Sequence, residues 1–199
     1  PTVVLMQTPG AVMTPWRGEV AALANLFLGG EETGNAWAAV LFGDVPPEGR
    51  LPIVLPARAS DALFATGAED VPYSEGLLTS YRSPALSAAF PFGHGLSLTR
   101  FRFEPPQVVE RSRCQDVICV RLAVENVGHR RGKEVPQAYL HFPAAPEGTP
   151  RLALRGFHKT KLLNPTEKDQ VLFKFTKRDL SVYDARYGWV VQQTVVAHF

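Results

Sequence analysis

The chain has 199 residues, 45% hydrophobic and 20% charged, with a net charge of +2. That suffices for one large domain or two small ones, and the composition is that of an ordinary folded chain. Interleaved basic and acidic residues exclude a nucleic-acid stripe or a polybasic membrane patch, and no apolar run approaches the roughly 20 residues that span a bilayer.

Thr2-Val3-Val4-Leu5-Met6 reads as a buried strand at the very start, without an initiator Met or a charged lead into an apolar signal segment. A chain that opens inside a strand is expected to be a fragment or a processed piece. After the Pro9-Gly10 turn, Thr14-Pro15 offers an N-cap followed by proline at the first helical position. Trp16, Val20, Leu23 and Phe27 then share one helix face, and Gly29-Gly30 stops the run. A second short helix is expected over 35–42, with Ala36, Trp37, Val40 and Leu41 inward and Gly43 ending it. Ile53-Val54-Leu55 is a short extended segment between Pro52 and Pro56. Residues 57–97 are loop-rich yet hold Tyr73, Tyr81, Phe90 and Phe92, and a loop of that length usually serves function or packs on a neighbour.

The character changes near Phe101–Pro106, where Pro105-Pro106 punctuates a linker and divides the chain into 1–104 and 105–199. Ile118, Val120, Leu122 and Val124 alternate as a half-buried strand does. Val135, Ala138, Leu140 and Phe142 follow, with Pro136 indicating an edge or a bulge. Further strands are read at Leu152 and Leu154, at Val171, Phe173 and Phe175, at 189–191 and at 194–197. Short strands separated by turn signals indicate a β-sandwich of immunoglobulin or fibronectin type III kind. Cys114 and Cys119 lack redox or zinc spacing; they admit a local disulfide if the chain turns between them, and equally two reduced thiols.

Three blocks in the first half resemble glycoside hydrolase family 3. They are Gly29–Pro56, with Gly-Gly-Glu-Glu-Thr-Gly-Asn-Ala and Val-Leu-Phe-Gly-Asp-Val…Gly-Arg-Leu-Pro; Tyr73–Arg82; and Phe90-Pro91-Phe92-Gly93-His94-Gly95-Leu96-Ser97 through Phe101. Later, Glu125-Asn126-Val127-Gly128, Gly132–Leu140, Leu154–Lys159, Asp179-Leu180-Ser181 and Gly188–Val191 are similar to the fibronectin type III-like domain that closes many members. The resemblance implies the distal part of an α/β sandwich domain followed by an all-β fibronectin type III-like sandwich. Pro46-Pro47-Glu48 stands where the family has Asn-Pro-Ser, and Leu98 where it has Tyr.

For the whole protein the resemblance implies retaining removal of a terminal β-linked sugar without a cofactor. That chemistry needs two carboxylates about 5–5.5 Å apart across the bond. The family's nucleophilic Asp lies in an N-terminal barrel and its general-acid Glu upstream of the strand matching Thr2–Met6. Neither role can be carried to a residue here, so the expected catalytic, cofactor and metal sets are empty and the piece alone is expected to be inactive. The expected partners are the barrel portion, in cis or as a separate chain, and a carbohydrate, with no nucleic acid and no membrane span. The expected compartment is extracellular or the secretory lumen.

Several residues invite roles of their own. Among Glu31, Glu32, Asp44, Asp70 and Glu75, Glu75 is the best acid/base candidate; its plainer role is to satisfy backbone donors or pair with Arg82. Glu32 suits the positive end of the second helix. Gly29-Gly30 and Gly93-His94-Gly95 lack a phosphate-loop context, and Ser74 and Ser97 lack a nucleophile motif. His94, His129, His141, His158 and His198 are scattered without metal-ligand spacing. Trp16, Trp37 and Trp189 are read as packing residues, and Arg50 as an anchor of its loop or a contact to the barrel. The rival readings are a non-catalytic structural or interaction module, and a carbohydrate-binding module. The latter requires exposed coplanar aromatics, whereas Phe173, Phe175 and Trp189 are expected inward.

Overall fold

The computed structural model describes residues 1–62 and 73–199. The chain divides into two compact units, Pro1–Gly95 and Leu96–Phe199.

The first unit begins with β1 (Val3–Met6), a 3-10 turn over Pro15–Glu19, and β2 (Ala22–Asn25). The two strands pair in parallel, with Val3 opposite Ala22 and Met6 opposite Asn25. The helix expected through Trp16–Phe27 is therefore not formed. Gly18 interrupts the face, Thr14 makes no side-chain cap, and Ala22–Asn25 gains ladder hydrogen bonds from β1 that a helix could not give it. Helix α1 (Thr33–Leu41) matches the second expected helix, and Gly43 closes it with φ +83, a conformation suited to glycine. Its expected inward set is only partly inward: Trp37 and Val40 are half-buried, while Ala36 and Leu41 are exposed. Strand β3 (Leu55–Pro56) pairs antiparallel with β4 (Ala88–Phe90); Ile53 and Val54 lie before it.

The second unit comprises β5 (Phe101–Phe103), β6 (Gln107–Val108), β7 (Ile118–Asn126), β8 (Gln137–His141), β9 (Ala153–Phe157), β10 (Lys168–Phe175), β11 (Ser181–Asp184), β12 (Gly188–Val191) and β13 (Val196–His198). One sheet runs β10-β7-β5, with β6 also on β7; a second runs β13-β8-β9; β11 and β12 pair with each other. Strand β5 precedes Pro105-Pro106 yet hydrogen-bonds to β7, so the second unit takes in residues on both sides of the proline pair.

Alternation decides the core. Val120 and Leu122 of β7 and Val171, Phe173 and Phe175 of β10 are buried in one cluster with Ala138, Leu140 and Phe142 from β8 and beyond, and Val124 of β7 is buried as well. Each buried Val, Leu or Phe side chain here stabilises the fold by roughly 1.5–3 kcal/mol. Ile118 falls outside this core, exposed at the strand's start, while Asn126 extends the buried face at its end. Pro136 sits just before β8, where its carbonyl accepts the His158 N–H, and the register shifts between Ala138 and Tyr139. Cys114 and Cys119 are joined in a disulfide with Cα atoms 5.7 Å apart, tying a short turn to β7.

An exposed charge network crosses β5, β7 and β10. Arg102 bonds Glu125 at 2.6 Å, and Lys168 reaches both Glu104 and Glu125, at 2.5 and 3.5 Å. The hydrogen bond from Arg102, reinforced by the charges of Arg102 and Lys168, holds the Glu125 carboxyl below the usual carboxylate range against a weaker opposing effect of burial. Glu167, bonded to Lys161 and to the Asn164 N–H, and Asp61, bonded to Arg58, are depressed likewise. A depressed folded-state value contributes stability above the unfolded value of about 4, lost as pH falls through the folded value. The melting temperature is therefore expected to fall on acidification below about pH 5. Glu125→Gln is expected to lower it at neutral pH, with the gap to wild type closing in acid; a gap independent of pH would show that the carboxylate charge does not matter.

Candidate functional site

The residues that carry the first-half motifs come from three stretches, and the fold joins two of them backbone to backbone. Gly29-Gly30 turns the chain after β2; the Thr33 hydroxyl donates to the Gly30 carbonyl at 2.7 Å and α1 starts there. Glu32 occupies the N-cap position without bonding backbone donors through its side chain, and its carboxylate instead accepts Asn35 Nδ2–H at 2.5 Å. Beyond α1 the chain passes through Pro46-Pro47 to Gly49-Arg50-Leu51.

There it meets the Phe90–Gly95 stretch. The Leu51 N–H donates to the His94 carbonyl at 2.8 Å, and the Gly93 N–H donates to the Leu51 carbonyl at 2.7 Å. Four residues on, Leu55 lies opposite Phe90, and the Ala57 N–H reaches the Ser87 carbonyl at 2.9 Å. Leu55 is fully buried at this seam, with Val54 and Pro56 beside it. A Cβ on Gly95 would run into the Gly49 carbonyl and the Arg50 side chain, so glycine is required by close approach rather than by turn geometry. Arg50 Nη1 donates to the Gly49 carbonyl at 3.0 Å, and its stem lies against Gly95; loop anchoring is the role its position supports.

Aromatic rings cover the seam. Phe90 and His94 are 5.5 Å apart, Tyr81 and Phe92 4.6 Å, and the Arg82 guanidinium lies over Tyr81. Asp61 holds the neighbouring turn: Arg58 bonds it with two nitrogens, at 2.9 and 3.0 Å, and the Ser87 N–H donates to it. Arg58 thereby keeps the Asp61 carboxyl below its ordinary range, which makes it a poor proton donor at neutral pH.

The acid/base candidates do not converge. Glu75 is half-buried in a turn, and among the described residues its carboxylate makes no hydrogen bond or ion pair. The expected pairing with Arg82 is replaced by the stacking of Arg82 on Tyr81. Glu31 and Asp44 are exposed, and Asp70 lies outside the described residues. Ser74 is exposed, and Ser97 Oγ accepts the Thr99 N–H. Among the described residues no three His, Cys, Asp or Glu side chains are grouped to hold a metal ion. Trp16 and Trp37 are half-buried as packing residues, but Trp189 is turned outward, 43% exposed. Among the described residues β12 pairs with β11, and the Trp189 side of that hairpin is exposed. The strand at Ser181–Asp184 carried no periodic signal in the sequence, because the neighbouring Ser181 and Val182 are both buried.

Comparison with known proteins accounts for these motifs. Residues 1–98 match the glycosyl hydrolase family 3 C-terminal domain, and residues 134–197 the fibronectin type III-like domain. The chain is 37% identical over 197 residues to a beta-glucosidase of Rhizobium radiobacter, covering 94% of this chain and 24% of that protein. It is 35% identical over 199 residues to the thermostable beta-glucosidase B of Acetivibrio thermocellus, covering 96% of this chain and 26% of that protein. Among solved structures, the beta-glucosidase DesR of Streptomyces venezuelae, in complex with D-glucose, superposes with a TM-score of 0.85 at 31% identity, over 98% of this chain and 27% of that one. Beta-glucosidase 3B of Thermotoga neapolitana gives a TM-score of 0.85 at 33% identity, over 96% of this chain and 28% of that one. The chain thus spans about a quarter of the length of the curated relatives it matches. With both domain models matched in order, and with the seam between Leu51 and Gly93 built from the motif residues themselves, the chain belongs to glycoside hydrolase family 3, as its C-terminal α/β domain followed by a fibronectin type III-like domain.

Proposed function

We propose that this chain is the C-terminal part of a β-glucosidase-like exo-acting glycosidase. In the parent, a terminal β-linked sugar would be removed with retention, and the catalytic carboxylates would come from parts of the protein outside these 199 residues. The observation that carries the reading is the similarity to beta-glucosidases over 94–96% of this chain, which is about a quarter of their length. The first unit supports it physically. Val3, Leu28, Leu41, Phe42 and Val45 are exposed there, Phe42 to 83%, and β1 and β2 form a sheet of only two parallel strands. Parallel sheets are ordinarily covered on both faces, so this surface suits a further portion of the same protein. The role of the piece is then to complete and brace the domain that borders the sugar cleft through the seam of Leu51, Leu55, Phe90 and Gly93.

The compartment proposed is extracellular or secretory, and the Cys114–Cys119 disulfide supports it. The test compares the 199-residue chain with a longer chain that includes the preceding portion, on aryl β-glycosides. Hydrolysis is expected only from the longer chain. Turnover by the 199-residue chain alone would overturn the assignment of the carboxylates elsewhere. An inactive, well-folded longer chain would favour a non-catalytic module.

A further inference from the structure

The β11–β12 hairpin presents chemistry that the seam and the core do not use. Tyr183 and Trp189 are direct cross-strand partners on its outward face, their rings 5.5 Å apart and edge to face, with Val191 on the same face. All three are exposed, as is Tyr187 in the connecting turn. The Arg178 guanidinium lies 3.2 Å from the centroid of the Trp189 ring. Among the described residues its side chain donates no hydrogen bond and joins no ion pair, so contact with the ring restrains the guanidinium and leaves its N–H donors unused. That is the arrangement in which an arginine accepts a planar oxyanion through two parallel N–H bonds, since little side-chain freedom remains to be lost.

The surrounding charge favours an anion. Over 177–186 the chain carries Lys177, Arg178 and Arg186 against Asp179 and Asp184. Both carboxylates are occupied locally. Asp179 accepts the Thr176 N–H and hydroxyl, at 2.9 and 2.7 Å, and Asp184 accepts the Arg186 and Tyr187 N–H groups, at 2.7 and 3.1 Å. Lys177, Arg178 and Arg186 are each exposed, and the stretch keeps a net positive charge. Asp179, next in sequence to Arg178, also lines an open hollow of about 390 Å³ with Leu154, Arg155, Gly156 and the exposed Phe157.

We propose that this hairpin binds acidic polysaccharide, a chain of uronate-bearing sugars. The carboxylate of one unit takes the Arg178 fork, and the pyranose faces of its neighbours lie against Tyr183 and Tyr187. Charge complementarity selects the occupant: a neutral glucan would use the aromatic rings and leave the guanidinium unanswered, whereas a uronate chain satisfies both.

Affinity electrophoresis of the 199-residue chain through gels containing polygalacturonate or a neutral β-glucan tests this. Retardation is expected in polygalacturonate, weakening with added salt, and not in the neutral glucan. Arg178→Gln should lower the affinity about tenfold, as loss of a charge-assisted bidentate contact does. Arg178→Lys should recover only part of it, and Tyr187→Ala should weaken binding several-fold through lost stacking. Arg121→Gln removes the same charge from an exposed position on β7 and should change nothing. Thermal melts of each variant separate lost binding from lost folding. Equal retardation by both polymers, full binding by Arg178→Lys or Arg178→Gln, or no retardation by either would overturn the proposal. The last result would leave the hairpin as a contact surface for another part of the parent protein.

Discussion

Asn126→Ala is expected to destabilise the sandwich unit by about 3–5 kcal/mol, because it removes four side-chain hydrogen bonds of a fully buried residue at once. Asn126 is fully buried at the end of β7. Its amide nitrogen donates to the Arg130 and Leu163 carbonyls at 2.7 and 2.9 Å. Its amide oxygen accepts the Thr99 hydroxyl at 2.7 Å and the Gly128 N–H at 3.1 Å. Its backbone bonds Glu167 and Thr166, so one residue gathers the start of the unit, the 126–132 turn and the approach to β10. Truncation leaves the carbonyl of Leu163, a fully buried residue, with only the Gly132 N–H, and at the same time takes the partner of the Thr99 hydroxyl, the Gly128 N–H and the Arg130 carbonyl. Urea unfolding should show a lower midpoint at an unchanged slope. Asn126→Asp separates the roles, since it keeps the acceptor but sets a carboxylate against two carbonyls; its deficit should shrink in acid, where the group is neutral. A loss below about 1 kcal/mol for the alanine variant would mean that water or rearranged backbone replaces the network.

Gly95→Ala is expected to open the seam between the two first-half motifs, at a cost of about 2–3 kcal/mol. The added methyl meets the Gly49 carbonyl as well as Arg50, and a backbone group cannot swing aside as the end of a long side chain can. The local observable is amide exchange. The Leu51 and Gly93 N–H groups are bonded across the seam and should exchange faster in the variant. Gly49→Ala is the matched control, because a Cβ there meets nothing within 4 Å. If both variants exchange alike, the close approach at Gly95 is not what holds the seam. In the parent enzyme proposed above, Gly95→Ala should also lower activity without touching any carboxylate.

How far these elements could be read beforehand depended on how local their causes are. Alternation at Val120, Leu122 and Val124, and at Val171, Phe173 and Phe175, placed two long strands correctly, because strands with one buried face advertise it every second residue. The end of α1 followed from Gly43, while its start lies two residues before the expected one, at Thr33. The face of Trp16, Val20, Leu23 and Phe27 satisfied the same periodicity test and still misled, since Ala22–Asn25 pairs with a strand sixteen residues or more earlier. Alternation also set Trp189 inward, yet its side chain is exposed on the hairpin.

From its own order of residues the chain establishes the fibronectin-like sandwich, the family motifs and their sequence along it, because turn chemistry and apolar period act over a few neighbours. Only the folded structure decides that Leu51 bonds Gly93, that Asn126 ties Thr99, the 126–132 turn and Leu163 together, that Cys114 meets Cys119, and that Arg178 rests on Trp189. A periodic pattern says which face of a segment would gain from burial. Whether anything lies opposite to bury it is settled by pairings between distant parts of the chain.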